Sequence, residues 1–460
     1  MPTQFDPPSG TRDFLAAELG LREAAFATIR AVFTRYGFEP LQTPAFERLD
    51  VLTGKYGDEG DKLIFKILRR GEHEASGEAD LALRYDLTVP LARVAAAYGS
   101  RLPWPFKRYA IGPVWRADRP GKDRYREFVQ CDLDTLGSVS PLADAEIICA
   151  VNDVLTALGI GEFTFLLNSR RALSGLLEAF GVPEELGPSV LITLDKLDKL
   201  TPGQVIAELA GRGLAPETAA ELVGVMTGPD AVSAVRAALE PTEAGAAGLA
   251  EIDRVLELVG DLMPKERVVF TPRLVRGLSY YTGPIWEVVA PGVAGSIASG
   301  GRYDHLIEAL GGPDVPAVGG SLGIDRILAL IPHDGSGGTS SLDVAVAVLG
   351  DEYAAQGFTF AAAARGAGLR ASVYLGSSGK LGRQLKWASD RGARWSLIYG
   401  GTEHADATVT VRDMITGDQT AVPLDRLAGH LARLAPSATA AGQPDGGGPD
   451  GGGPDGGGGV

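Results

Sequence analysis

The chain of 460 residues is too long for one typical hydrophobic core and predicts two or three domains, and its apolar fraction of 45% is that of an ordinary globular protein. The net charge of −15 argues against a protein that coats nucleic acids unspecifically, although a local basic patch can still bind a specific RNA. Without an apolar run of about 18 residues or a signal pattern, we expect no membrane contact and a cytoplasmic location. Two cysteines and five scattered histidines show no metal-ligand spacing, so no structural metal is predicted.

The N-terminal region predicts a long helix followed by a strand. Residues Leu15–Arg35 have helical periodicity. The apolar stripe of this helix consists of Leu19, Leu21, Ala25, Ile29, Val32 and Phe33. Phe38–Pro44 then has the pattern of a strand that is ended by proline.

A second strand is predicted over Asp80–Leu91, where apolar and polar residues alternate strictly. Its polar face carries Arg84, Asp86 and Thr88. A half-buried strand with a solvated side explains this pattern on its own. A carboxylate and a hydroxyl two positions apart could equally bind an ammonium group.

Residues 107–137 predict two strands joined by a short basic loop, because apolar residues alternate on both sides of a turn at 119–123. Cys131 and Leu133 belong to the core face of the second strand. Its other face is polar and carries Arg124, Arg126, Phe128, Gln130, Asp132 and Asp134. Four cations crowd the connection, namely Arg116, Arg119, Lys122 and Arg124. Guanidinium groups bind phosphate oxygens in bidentate pairs, so a ligand-binding floor is as good an interpretation as a plain surface sheet.

Helical patterns cover Ala143–Leu158, Arg170–Phe180 and a long segment, 186–262, which we interpret as a helical insertion. Strand character returns over Val268–Val289, and glycines follow at 300–301, where the backbone could approach a ligand closely. Val318–Leu330 predicts a glycine-rich strand that passes into a helix. Arg326 would lie in the first turn of that helix, where amide groups and a cation can meet phosphate.

The remaining chain predicts a linker at 331–341 and an α/β domain at 342–436, because strand and helix patterns alternate there. The residues at 437–460 repeat glycine, proline and aspartate and cannot bury a core, so we expect them to be disordered.

Several of these peptides together resemble one family. Arg116–Asp118 and Arg126–Phe128 resemble the second signature motif of the class II aminoacyl-tRNA synthetases, and Gly323–Arg326 resembles the third. Arg276–Tyr281 and Gly300–Asp304 resemble the two peptides peculiar to the histidyl-tRNA synthetase family, in its archaeal and eukaryotic branch. The resemblance implies an α+β fold: a class II antiparallel sheet flanked by helices over 1–330, the helical insertion, and a C-terminal α/β anticodon-binding domain.

The resemblance also implies the reaction and its residues. Histidine would react with ATP, with Mg²⁺ on the phosphates, and then be transferred to histidine tRNA by a homodimer. Arg116 would hold the α-phosphate, Arg326 the γ-phosphate, and Arg276 the point at which carboxylate and phosphate react. The other predicted nucleotide contacts are Asp118, Phe128 and, through Mg²⁺, Glu127. The predicted histidine contacts are Asp86, Thr88, Gln130, Asp134, Tyr280 and Tyr281. The predicted tRNA-contact loop contains Arg119, Lys122 and Arg124.

Two positions depart from the family pattern, since Ser279 stands in place of aspartate and Asp325 in place of glutamate. Two other functions therefore remain open. One is a regulatory paralogue that binds histidine without catalysis, like the partner subunit of ATP phosphoribosyltransferase. The other is an enzyme that adenylates histidine and transfers it to an acceptor other than tRNA.

Overall fold

The computed structural model describes residues 5–55, 60–71, 76–121, 124–275, 280–331 and 342–435. The chain divides into two compact units, Met1–His333 and Asp334–Val460. Within the described ranges, no helix is long and apolar enough to cross a membrane. The predicted tail and nearly all of the predicted linker, together with Lys122, Arg276 and Ser279, lie outside the described residues.

The first unit is built on an eight-stranded sheet and a separate three-stranded sheet. Its strands are β1 Glu39–Pro40, β2 Phe46–Arg48, β3 Lys66–Leu68, β4 Ala79–Leu83, β5 Phe106–Trp115, β6 Glu127–Leu136, β7 Thr164–Ser169, β8 Val268–Phe270, β9 Pro284–Val289, β10 Ala298–Arg302 and β11 Ala317–Gly323. The large sheet has the order β1-β5-β6-β11-β10-β9-β7-β8, and the small sheet has the order β2-β4-β3. Neighbours in the large sheet are antiparallel except in the two edge pairs, β1 with β5 and β7 with β8. The predicted antiparallel sheet is thus confirmed.

Helices cover one face of the large sheet. The helices of this unit are α1 Ala16–Arg35, α2 Leu49–Leu52, α3 Thr88–Tyr98, α4 Pro141–Ala157, α5 Arg170–Ala179, α6 Gly187–Leu194, α7 Pro202–Gly211, α8 Pro216–Thr227, α9 Ala231–Leu239, α10 Glu243–Val259 and α11 Ile324–Leu328. Ser140 caps α4 by accepting the Leu142 amide, and Pro141 takes the first helical position, where no amide donor is needed. Cys131 and Leu133 are buried in the main core with α1 and α4, as their place on the core face predicts.

The predicted helical segment 186–262 is helical, and its core is continuous with that of the large sheet. The backbone of its last helix, α10, packs directly against the backbone of α5. A methyl group at Gly248 would lie 2.2 Å from the Ala172 amide nitrogen, and one at Gly175 would lie 2.2 Å from the Gly245 nitrogen. These glycines therefore set the close packing of the two helices.

The predicted strand over Asp80–Leu91 is wrong beyond Leu83. The strand β4 ends there, and α3 begins at Thr88. The Asp86 carboxylate accepts the Val89 amide at 3.0 Å, and Pro90 lies in the first turn, where its missing N–H costs nothing. These two helix-start features outweigh the alternation, so Asp86 and Thr88 flank a helix N-terminus rather than sharing a strand face.

Three smaller differences concern the N-terminal half. The predicted strand Phe38–Pro44 is reduced to two residues, β1, which pair in parallel with β5 at the edge of the sheet, where proline is tolerated. On α1, Leu19 is exposed and Phe26 is buried instead. The strand β7 was not predicted, because its six residues lie between two stronger helical patterns.

The second unit has a five-stranded sheet of order β13-β12-β14-β15-β16. Its strands are β12 Val344–Val348, β13 Ala371–Val373, β14 Trp395–Tyr399, β15 Thr408–Asp413 and β16 Gln419–Pro423. Its helices are α12 Ala354–Gly366, α13 Leu381–Asp390, α14 Gly401–Ala405 and α15 Leu427–Leu434. The central β13-β12-β14 set is parallel and the last two strands form an antiparallel hairpin.

Candidate active site

A cavity of about 400 Å³ lies over the face of the large sheet that α1 and α4 leave open. The floor of this cavity follows from strand register. Asp134 on β6 lies opposite Gly319 on β11, and Asp132 lies opposite Ser321. Directly opposed residues of antiparallel strands share a face, so the polar face predicted for β6 continues across β11.

Seven of the predicted site residues line this one cavity. They are Asp86, Thr88, Arg116, Gln130, Asp134, Tyr280 and Tyr281. They come from four separate stretches of the chain, so the fold brings together groups that sequence spacing alone could not. This lining includes a cation, two carboxylates, an amide and two phenols, which can bind a zwitterion together with an anionic partner.

Asp134 is buried and lines the cavity. The Tyr303 hydroxyl donates a short hydrogen bond to Asp134 Oδ1, and Arg108 Nη2 lies 2.7 Å from Oδ2. Burial raises the pKa of Asp134, while Arg108 and the Tyr303 hydrogen bond oppose that rise. Asp132 is buried beside it, and burial raises its pKa to about 7, with Arg108 again acting in the opposite direction.

Gln130 has one end fixed and one end available. Its Nε2 donates to Ser321 Oγ at 2.8 Å and, more weakly, to Asp132 Oδ1 at 3.4 Å. Its buried Oε1 accepts no hydrogen bond from the described residues. An orphaned buried acceptor needs a partner, so this oxygen is well suited to receive an N–H from a ligand.

Arg116 begins the loop after β5 and lines the same cavity. Its Nε donates to the Tyr85 carbonyl at 3.2 Å, and its guanidinium lies over the Tyr85 and Phe128 rings at 4.3 and 5.1 Å. These contacts hold the cation beside an aromatic ring. A phosphate next to a base is the kind of ligand that such a pair fits.

The other predicted nucleotide residues lie outside the cavity lining. Asp118 forms a 2.6 Å ion pair with Arg124, and its carbonyl accepts from Arg126 Nε at 3.0 Å. Glu127 is exposed at the start of β6. Arg119 is exposed as well, so Arg119 and Arg124 present positive charge at the loop surface.

Arg326 lies in the short helix α11, as predicted, and its Nη1 donates to the Ser296 carbonyl at 2.6 Å. Its neighbour Asp325, one of the two departures from the family pattern, forms ion pairs with Arg12 at 2.7 Å and with the buried Arg22 at 2.6 Å. Asp325 therefore ties α11 to α1 rather than entering the cavity.

Sequence reasoning did not assign several residues of the cavity and its wall. They are Arg108, Asp132, Asp195, Glu287, Ser299, Tyr303 and Ser321. Glu287 carried a visible signal, because a carboxylate interrupts the apolar run of β9. Tyr303 lies inside a peptide that the sequence singled out. Asp195 carried no signal, since only the folding of the helical segment brings it to this wall.

Gly319 gives a direct test of this geometry. A methyl group at Gly319 would lie 2.0 Å from Asp134 Oδ1, so Gly319→Ala should displace that carboxylate and cost about 1–3 kcal/mol of stability. The unfolding temperature of Gly319→Ala should therefore be lower than that of the unchanged chain. Gly323→Ala on the same strand is the matched control, because its methyl group would meet nothing closer than 3.4 Å. An equal change of unfolding temperature in the two variants would contradict the position of Asp134.

Comparisons with known proteins agree with this arrangement. The family model described as histidyl-tRNA synthetase matches residues 10–327, and the model described as anticodon binding domain matches residues 343–434. The fold, the cavity and these two matches define the chain as an aminoacyl-tRNA synthetase. Within that class, it belongs to the histidyl-tRNA synthetase family. The predicted family is thus confirmed, while the archaeal and eukaryotic branch stays a prediction.

Individual relatives support the same family. A histidine–tRNA ligase of Gloeobacter violaceus is 41% identical over 450 residues, which cover 90% of this chain and 96% of the relative. The crystal structure of histidyl-tRNA synthetase from Nostoc sp. PCC 7120 has a TM-score of 0.75 at 30% identity and covers 94% of this chain and 100% of that one. A Bacillus halodurans structure, described as an ATP phosphoribosyltransferase regulatory subunit/histidyl-tRNA synthetase, has a TM-score of 0.73 at 22% identity, covers 87% of this chain and 100% of that one, and shows the shared fold alone.

Proposed function

We propose that this chain is a histidine–tRNA ligase of the class II type, which activates histidine with ATP and transfers it to the 3′ end of histidine tRNA. The observation that carries the proposal is that Asp86, Gln130 and Asp134 line the same cavity as Arg116. Carboxylates and an amide fit an amino acid with two N–H-bearing ends, and the guanidinium fits the phosphate that the amino acid attacks.

In the first step, a histidine carboxylate oxygen attacks the α-phosphorus of ATP. A new O–P bond forms, the bond to the β-phosphate oxygen breaks, and pyrophosphate leaves with the electron pair. Neither reactant needs a proton removed, so the protein acts by positioning and by neutralising charge. Arg116 would hold the α-phosphate and Arg326 the γ-phosphate, and Phe128, beside Arg116, would stack on adenine. Arg276 would act where the two reactants meet.

Histidine would be held at both ends. Asp86, Thr88 and the orphaned Oε1 of Gln130 would receive the α-ammonium group. The Asp134 carboxylate would accept an imidazole N–H, with Tyr280 and Tyr281 as aromatic walls. The two tyrosine rings lie 5.0 Å apart between centroids, and Tyr280 and Tyr303 lie 5.8 Å apart, so this side of the cavity is a connected aromatic cluster. Such a wall favours a flat ring over an aliphatic side chain.

Mg²⁺ accompanies ATP in this proposal. Hard oxygen ligands are required, and the buried Glu287 carboxylate on the cavity wall fits that need better than the exposed Glu127. The ion would neutralise phosphate charge when MgATP binds, and the protein groups around it would orient the nucleotide.

The adenylate would then react with a ribose hydroxyl of the tRNA end, with Arg119, Lys122 and Arg124 as the tRNA-contact loop. The domain that matches the anticodon-binding model would bind the other end of the tRNA. We further propose a cytoplasmic homodimer.

Two assays on the purified chain test the proposal and separate it from the alternatives. A histidine–tRNA ligase should catalyse histidine-dependent exchange of pyrophosphate into ATP and should also charge histidine tRNA. A regulatory paralogue should do neither while still binding histidine. An enzyme with another acceptor should show exchange without charging tRNA. The same exchange with other amino acids in place of histidine is the specificity control.

A further inference from the structure

One buried arginine outside the predicted set lies directly under the proposed histidine site. Arg108 is on β5, opposite Asp134 on β6, and its side chain is 0% exposed. The register places it on the cavity face of the sheet, whereas the adjacent Leu133 faces the core that α1 and α4 cover. Arg108 is therefore part of the support of the site rather than of the main core.

The contacts of Arg108 join two separate pieces of that site. Its Nη2 lies 2.7 Å from Asp134 Oδ2, and the same nitrogen donates to the Leu87 carbonyl at 3.1 Å. Leu87 stands between Asp86 and Thr88 and immediately precedes α3. One guanidinium nitrogen thus fixes the carboxylate proposed for the imidazole and the segment proposed for the ammonium group.

Charge gives the same residue a second effect. Asp86, Asp132 and Asp134 are all buried around the cavity. The negative charge of neighbouring carboxylates raises the pKa of Asp132 and of Asp134 and so disfavours their ionised forms. The positive charge of Arg108 is the main influence that opposes this rise in pKa for both Asp132 and Asp134. Without Arg108, an ionised Asp134 would be harder to maintain in this wall.

Other buried arginines of this unit differ from Arg108 in how they are bonded. Arg302 is held by Asp144 and by two backbone carbonyls on the opposite face of the sheet, and Arg84 is held by the carbonyls of Pro113 and Thr43. Arg108 Nε and Nη1, by contrast, have no hydrogen-bond partner within the described ranges. A guanidinium kept only for stability would be expected to use these donors. Only the nitrogen that faces Asp134 and Leu87 is engaged.

We propose that Arg108 is a positioning residue for histidine, which fixes Asp134 and the Asp86–Thr88 segment relative to each other. The inference rests on the proposed function, because it concerns the amino acid that this cavity takes. Arg108 itself touches neither reactant. Its loss should weaken histidine binding selectively and leave ATP binding intact, since Arg108 contacts Asp134 and Leu87, whereas Arg116 is held by Tyr85 and Phe128.

The test compares four variants by equilibrium dialysis, with labelled histidine and labelled ATP measured separately, and by thermal unfolding. Arg108→Gln should raise the histidine Kd about tenfold or more, because a small displacement of a ligand-binding group is costly, while the ATP Kd stays within about twofold. Arg302→Gln is the matched control, the same change at a buried ion pair on the other face. It should lower the unfolding temperature without raising the histidine Kd.

A double variant, Arg108→Gln with Asp132→Asn, separates the positioning of Asp134 from the balance of buried charge. Asp132→Asn alone is its reference. Removing one carboxylate should recover unfolding temperature lost in Arg108→Gln, but the histidine Kd should remain raised. Recovery of both quantities, an unchanged histidine Kd in folded Arg108→Gln, or an equal rise for ATP would each overturn the inference. A wild-type chain that binds histidine but makes no adenylate would refute the proposed ligase function alone, and the dialysis would still test Arg108.

Discussion

Arg116→Ala should lower histidine-dependent pyrophosphate exchange by about 10²-fold or more, the largest effect expected from any single change among the described residues. The guanidinium is held at the cavity by the Tyr85 carbonyl and lies against the Tyr85 and Phe128 rings, so it is pre-oriented before ATP binds. A pre-oriented cation costs little reorganisation when negative charge develops on the α-phosphate. The loss should therefore appear in the rate of exchange at saturating substrates more than in the affinity for histidine.

Two further variants make this result specific. Arg116→Lys keeps the charge but loses the planar fork, so it should recover only part of the activity. Arg254→Ala removes an exposed arginine whose partner is Glu257, three residues along α10, and should leave exchange unchanged. Near-wild-type exchange in a folded Arg116→Ala protein would reject the role of Arg116 in phosphate binding.

The sequence predicted the parts of this fold in which one periodicity is strong and uncontested. The β5–β6 hairpin, α1, α4 and the glycine-rich β11 leading into α11 were predicted with ends close to those observed. The strand predicted over Asp80–Leu91 was wrong beyond Leu83, where perfect alternation competed with helix-start signals at Asp86 and Pro90. Local capping chemistry decided the outcome there, because satisfying the first amides of a helix fixes where that helix begins.

The polar floor of the cavity was predicted from the alternation along β6. The residues of the neighbouring strands that face this floor were not predicted, because strand register cannot be read from alternation alone. Arg108 lies on the predicted first strand, but alternation does not say which β6 residue faces it. In the structure, Arg108 lies opposite Asp134 and Trp115 lies opposite Glu127. Asp195 and Glu287 join the site only through tertiary packing of distant segments.

Asp134→Asn should weaken histidine binding by about 10- to 100-fold while ATP binding survives. The change keeps the volume of the side chain and removes the charge, and a hydrogen bond to a charged group contributes about 1.5–3 kcal/mol. In the present structure both oxygens are already oriented, one by the Tyr303 hydroxyl and one by Arg108. The asparagine amide would present an N–H where an acceptor is needed. The KM values for histidine and ATP in pyrophosphate exchange provide the measurement.

Asp144→Asn distinguishes a binding defect from general loss of stability. Asp144 is buried and paired with Arg302 on the helix-covered face, so its substitution removes a buried charge of the same kind away from the cavity. Each change takes a charged partner from a buried arginine, and both variants should unfold at lower temperature than the wild-type chain. Only Asp134→Asn should change the KM for histidine. If both variants raise the KM for histidine and the KM for ATP together, the effect arises from the sheet as a whole, and Asp134 has no particular role in recognising the imidazole.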